Sequence, residues 1–290
     1  MPPIDPVGMS LYFQEAMRRH EAPHRGPGAS MIRPRSLLLP LLALWLGGSI
    51  WSAPPRTLAI AAAADLQFAL VQVTSAFALA NPGIEVAVTY GSSGNFYTQL
   101  LNKAPFDLFL SADLSYPRKL VEAGLADGAT AFLYSRGRLV LWVLKASPIP
   151  VERLGMQALL HPAAHKVAIA NPRHAPYGRA AEAALTKSGL LEAVTPRLVF
   201  GENITQTAQF VQTGAADIGI LALSLAKAPV MANRGRYWEV PQDAHPPLDQ
   251  GGVILNHARN RAEALAFRDF MGSPAGLEIL RRYGFVVAGQ

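Results

Sequence analysis

Four times along this chain an apolar, strand-like run ends in a short turn of small or polar residues and gives way to a helix-like run. The turns are Ala63-Ala64-Asp65-Leu66, Gly91-Ser92-Ser93-Gly94, Ala175-Pro176-Tyr177-Gly178 and Glu202-Asn203-Ile204-Thr205. Strands that alternate with helices in this way run parallel, because each helix carries the chain back across the sheet. In open parallel sheets, ligands bind outside the carboxyl ends of the strands, and all four turns lie there. The second turn is the plainest. It follows the period-two run Ile84–Thr89 and precedes the helix-like run Phe96–Leu101. Its glycines admit a close ligand, its serines can donate hydroxyl protons, and the first amides of the next helix are free at its positive end. Such a turn suits an anion without any lysine or arginine. Taken alone, it reads more simply as an ordinary serine helix cap. Four such turns converging on one cleft would make a dry pocket lined with fixed donors. Each charge-assisted bond is worth roughly 1.5–3 kcal/mol, so about five support micromolar binding or better.

The order of elements predicts two α/β lobes. Strands are expected near 57–63, 84–89, 107–110, 138–144, 166–170, 198–200, 217–221, 237–240 and 252–255. Asp65 reads as the N-cap of the helix that ends at Asn81-Pro82-Gly83, and helices near 261–271 and 274–283 close the chain. The late return to strand and helices predicts a first lobe from 56–135 plus 248–290 and a second from 136–247, with crossings near 135 and 248.

Residues 1–30 are rich in proline and glycine without apolar periodicity, and read as disordered or as an upstream start assignment. From Met31, a basic start (Arg33, Arg35), the apolar run Leu37–Leu46 and small residues to Ala53 make a secretory signal over 31–53, too short to span a bilayer. The 290-residue chain has no cysteine, which excludes disulfides, thiolate metal sites and a lipidated cysteine anchor. Its net charge of +6 is scattered, so nucleic-acid binding has little support.

The motifs AAAADL at 61–66, YGSSGNFY at 90–97, FDLFLSAD at 106–113, NPRHAPYG at 171–178, GENITQTAQFV at 201–211 and RRYGF at 281–285 together resemble the periplasmic molybdate-binding proteins of ABC transporters. The resemblance covers about 57–288. It implies the type II periplasmic-binding fold, with two lobes, two crossover strands and a ligand cleft between them. It also implies a monomer that carries molybdate or tungstate to a permease in the inner membrane, with no cofactor and no catalysis. Ser93 would donate its hydroxyl and amide, Tyr177 and Ile204 their amides, and the first turn the amide of Ala64 or Asp65. Two positions depart from the pattern. Ala64 lacks the hydroxyl often found in the first turn, and Ala222 stands where some members place a tyrosine. Ser92, Asn95 and Asn203 are candidates to compensate. Asp65 is expected to cap its own helix with its side chain turned away from the anion.

Other signals carry less. The GSSG turn is not a nucleophile elbow, because Asn95 stands where that motif needs glycine. A secreted serine hydrolase using Ser93 would need a base, and His174 and His245 are the candidates. His161 and His165 read as loop residues rather than a metal site, given Pro162 between them. Within the same scaffold, sulfate or phosphate is the alternative ligand. A pocket without acceptors would reject protonated phosphate, whose O–H would go unpaired.

Overall fold

The computed structural model describes residues 56–287. The expected secretory signal and the segment before it lie outside the described residues. Strand β1 (Arg56–Ala63) runs through a 3₁₀ turn at Ala64–Leu66 into α1 (Gln67–Ala80). Then come β2 (Ile84–Gly91), α2 (Ser93–Leu101), β3 (Leu108–Ser111), α3 (Ser115–Glu122) and β4 (Phe132–Gly137). The second sheet begins with β5 (Leu139–Leu144) and α4 (Val151–Leu154), followed by β6 (Val167–Ala170), α5 (Pro176–Lys187) and α6 (Leu191–Val194). It continues through β7 (Leu198–Gly201), α7 (Ile204–Gln212), β8 (Ile218–Ala222), α8 (Leu223–Ala226), α9 (Pro229–Ala232) and β9 (Gly235–Glu239). The chain closes with β10 (Leu248–Ile254), α10 (Arg261–Met271) and α11 (Pro274–Arg282).

Two five-stranded sheets result, in the orders β2-β1-β3-β10-β4 and β7-β6-β8-β5-β9. Each has a parallel trio, β2-β1-β3 and β7-β6-β8, completed by two antiparallel strands. The chain passes between the sheets twice, at Arg138 between β4 and β5 and again between β9 and β10. This is the α/β two-lobed fold that the strand-helix alternation implies.

Side-chain parity sets the first lobe's layers. Leu58, Ile60 and Ala62 of β1 join Leu108 and Leu110 of β3 on one face, against Leu70, Val73 and Phe77 of α1 and Phe267 of α10. Ala61 and Phe109 point to the other face, against Phe96 and Leu100 of α2 and Leu120 of α3. In the second lobe Val140–Val143 of β5 are fully buried, as expected for a strand covered on both faces. Strand β4 was not among the expected strands. It is the edge strand beside β10, with Leu133 and Arg136 exposed and Tyr134 and Ser135 buried, so its apolar pattern is broken. At the crossing expected near 248, the chain already pairs with β4 from Leu248 onward.

Candidate functional site

The four turns meet where the two lobes face each other. A cavity with about 200 Å³ of atom-free space is lined by residues of all four, together with Ala112 beyond the end of β3. Part of that space is open to solvent, and the recess itself holds roughly one water. Ala64, Asp65, Ser92, Ser93, Tyr177, Asn203 and Ile204 line it; Asn95 and Ala222 do not. No Lys, Arg or His is part of the lining.

Local bonding decides which amides remain for a ligand. In α5, Pro176 has no N–H, while the amides of Gly178 and Arg179 both donate to the Ala175 carbonyl. Tyr177 is left with a first-turn amide and no carbonyl behind it. In α7, the Asn203 side-chain oxygen accepts the amides of Thr205 and Gln206, each at 3.0 Å, which leaves the Ile204 amide. In α2, the Gly94 amide donates across the cleft to the His174 carbonyl at 2.9 Å, which leaves Ser93.

Neither serine of the second turn caps its helix through its side chain. Ser93 Oγ accepts the Ala112 amide at 3.0 Å. With a lone pair committed there, the hydroxyl proton is free to turn toward an anion. Ser92 Oγ shares a 3.0 Å hydrogen bond with His174 Nδ1 on the other lobe.

Asp65 departs from expectation most. It does not cap α1, whose N-cap position is Leu66, and sits inside the preceding 3₁₀ turn with 1% of its surface exposed. Its Oδ2 accepts the Tyr177 hydroxyl at 3.0 Å and the Gln250 amide at 2.6 Å. Its Oδ1 is buried without a hydrogen-bond partner. Burial pushes the carboxyl up to about 6, against the opposing pull of the Gln250 and Tyr177 bonds. The amides of Asp65 and Leu66 also lower it slightly, though neither is aligned to bond Oδ1.

The lobes are joined by further bonds that sequence reasoning did not find. Thr205 Oγ1 donates to the Ala64 carbonyl at 3.0 Å and Ser224 Oγ to the Asp65 carbonyl at 2.8 Å. At the mouth, Asn95 donates to Glu202, and Arg179 pairs with Asp113 at 2.5 Å. Asn95 is thus a rim contact. Ala222, buried at the end of β8, pairs with Leu139 and contributes nothing to the cavity.

The sequence profile of the bacterial extracellular solute-binding proteins matches residues 58–286. The chain belongs to that family. The molybdate-binding protein ModA of Rhodobacter capsulatus is 43% identical over 204 residues, covering 70% of this chain and 78% of that protein. Its counterpart in Azotobacter vinelandii is 37% identical over 246 residues, covering 84% and 96%. The solved structure of the Azotobacter vinelandii periplasmic molybdate-binding protein superposes with a TM-score of 0.75 at 32% identity, covering 79% of this chain and 99% of that one. The resemblance read from the six motifs is therefore confirmed at the level of family and fold.

Of the side signals, His161 accepts the Ala163 amide on Nδ1 and serves its own loop. Among the described residues, no three His, Asp or Glu side chains come together as a metal site.

Proposed function

We propose that this protein captures molybdate, and tungstate with it, and hands the anion to an ABC permease in the inner membrane. The observation that carries this reading is the convergence of the Ser93, Tyr177 and Ile204 amides and the Ser93 hydroxyl on one small, partly open cavity with no cation in its walls. Fixed dipoles of this kind favour a small dianion that needs no counter-charge. The amide of Ala64 or Asp65 completes the set from the first turn. Tungstate follows molybdate because the two share tetrahedral shape, charge and nearly the same size. The identity of the molybdate-binding relatives supports the choice among oxyanions. The protein works as a monomer in the periplasm after removal of the segment 31–53. Closure of the lobes over the anion is the signal that the permease reads. No reaction is performed. Ser93, the nucleophile of the hydrolase alternative, meets the Ala112 amide rather than a base.

Titration calorimetry with molybdate tests this reading. The wild-type domain should bind one anion, and Ser93→Ala should weaken binding by about ten- to a hundredfold, the loss of one charge-assisted bond of roughly 1.5–3 kcal/mol. Its unfolding midpoint should fall modestly, because Ser93 Oγ caps no helix but the buried Ala112 amide loses its acceptor, a cost of about 1–3 kcal/mol. Equal affinity in the two proteins would remove Ser93 from the site.

A further inference from the structure

The carboxylate and the ring that meet Arg179 across the mouth of the cleft are fixed by their own lobe. Asp113, just beyond the end of β3, accepts the Ser115 amide on Oδ1 at 2.8 Å, and its own amide donates to Ser111 Oγ at 3.1 Å. The Tyr116 ring, in the first turn of α3, rests against the Tyr97 ring of α2 with centroids 5.4 Å apart. Arg179 comes from α5 in the second lobe and meets both. Its Nη2 donates to Asp113 Oδ2 at 2.5 Å and its Nη1 to the Tyr116 hydroxyl at 3.1 Å. Its guanidinium carbon lies 5.5 Å from the centre of the Tyr116 ring. Among the described residues, no other ion pair joins the two lobes. Building on the oxyanion reading, we propose that Arg179 is a positioning residue, a clasp whose bonds to Asp113 and Tyr116 hold the lobes together and set how long a captured anion stays.

Arg179 lies outside the cavity lining and acts through the helix that carries it. It stands two residues after Tyr177 at the start of α5, so the contact that closes the mouth also fixes the turn whose Tyr177 amide is left for the anion. With the Arg179 and Asp113 side chains 38% and 30% exposed, solvent screens the pair, and its effect is moderate. Two features strengthen it. Asp113 and Tyr116 are already held by Ser115 and Tyr97, so little side-chain freedom is lost when Arg179 arrives. A planar guanidinium can bond a carboxylate and a phenol together while lying over the ring, which an ammonium does less well. Lys119 also lies over the Tyr116 ring, at 5.7 Å, but it belongs to α3 in the same lobe and joins nothing across the cleft. The bonds of Arg179 exist only while the lobes meet. An anion enters while they are apart, so removing the clasp speeds release and leaves capture nearly unchanged.

Radiolabelled molybdate chased with unlabelled anion gives the release rate, and equilibrium dialysis with the same label gives the affinity; together they yield the association rate. Arg179→Met, which keeps the aliphatic stem, should release the label about five- to twentyfold faster, with the association rate changed less than about twofold. Asp113→Asn, whose side-chain oxygen still accepts the Ser115 amide, should speed release by a similar factor. The double variant should release little faster than either single one, because both remove the same contact. Unchanged release in Arg179→Met overturns the proposal and leaves the oxyanion reading intact. Effects that multiply in the double variant, or a loss of affinity carried by slower association, assign the residues separate structural roles and also overturn it. A wild-type protein that takes up no label removes the oxyanion reading, and the clasp with it.

Discussion

Replacing Gly94 with alanine should cost this protein its closed state while leaving its fold alone. A Cβ on Gly94 would sit 2.6 Å from the His174 carbonyl oxygen and 2.9 Å from the His174 Cα, both backbone atoms of the facing lobe. The same approach lets the Gly94 amide reach that carbonyl at 2.9 Å. With the lobes apart the clash with His174 does not exist; the Tyr116 hydroxyl, 2.9 Å away in the same lobe, is the end of a side chain that can shift, and alanine is a better helix residue than glycine near the start of α2. Overpacking of this size costs about 1–3 kcal/mol, charged here to the closed state alone. Molybdate affinity should therefore fall about ten- to a hundredfold, while the unfolding midpoint of the ligand-free protein holds or rises. Small-angle scattering should register compaction on adding molybdate to wild type and much less in the variant. Undiminished affinity would mean that the contact between Gly94 and His174 is not part of the bound state.

Gly178→Ala should act on the fold as well as the site. The added Cβ would meet the Ala170 carbonyl oxygen at 2.1 Å and the Pro172 nitrogen at 2.8 Å. These atoms belong to the end of β6 and the turn that follows it, within the same lobe, and neither can swing away as a side chain would. The start of α5 would have to lift off the sheet. A loss of about 3 kcal/mol, the upper end for overpacking, is expected in urea unfolding. Molybdate binding should weaken more than in Ser93→Ala, because the Tyr177 amide moves with the helix. An unchanged midpoint would show that β6 and α5 tolerate separation, and would undermine the idea that this packing positions the amide.

These two glycines mark the limit of what the sequence discloses. The four strand-turn-helix units were legible because each is a local signal: an apolar run, small or polar turn residues and a cap or proline at a helix start. Asn203 and Pro176 are the clearest cases, the first as a side-chain cap of α7 and the second at the first position of α5. What lay outside local reading were the contacts between units. Asp65 meets Tyr177 across 112 residues of chain and Gln250 across 185. No pattern around residue 65 distinguishes a cap from a carboxylate drawn into the space between lobes. The same holds for Ser224 and Thr205, whose hydroxyls reach backbone carbonyls of the first turn. Strand β4 was missed for a different reason. An edge strand with an exposed arginine lacks the clean alternation that burial imposes, and only its pairing with β10 defines it.

The presence of Asp65 in the cavity sharpens the question of which anion is preferred. The Asp65 carboxyl is buried and held by Tyr177 and Gln250, so the donors of the four turns are the groups that meet the anion. Discrimination against phosphate and sulfate must then rest on cavity size and on the spacing of the Ser93, Tyr177 and Ile204 amides. A single set of calorimetric titrations, with molybdate, tungstate, sulfate and phosphate added to the mature domain at one pH and ionic strength, tests this directly. Molybdate and tungstate should bind within a few-fold of each other and at least a hundredfold, about 2.7 kcal/mol, more tightly than sulfate or phosphate. Sulfate or phosphate binding tightest would contradict the account.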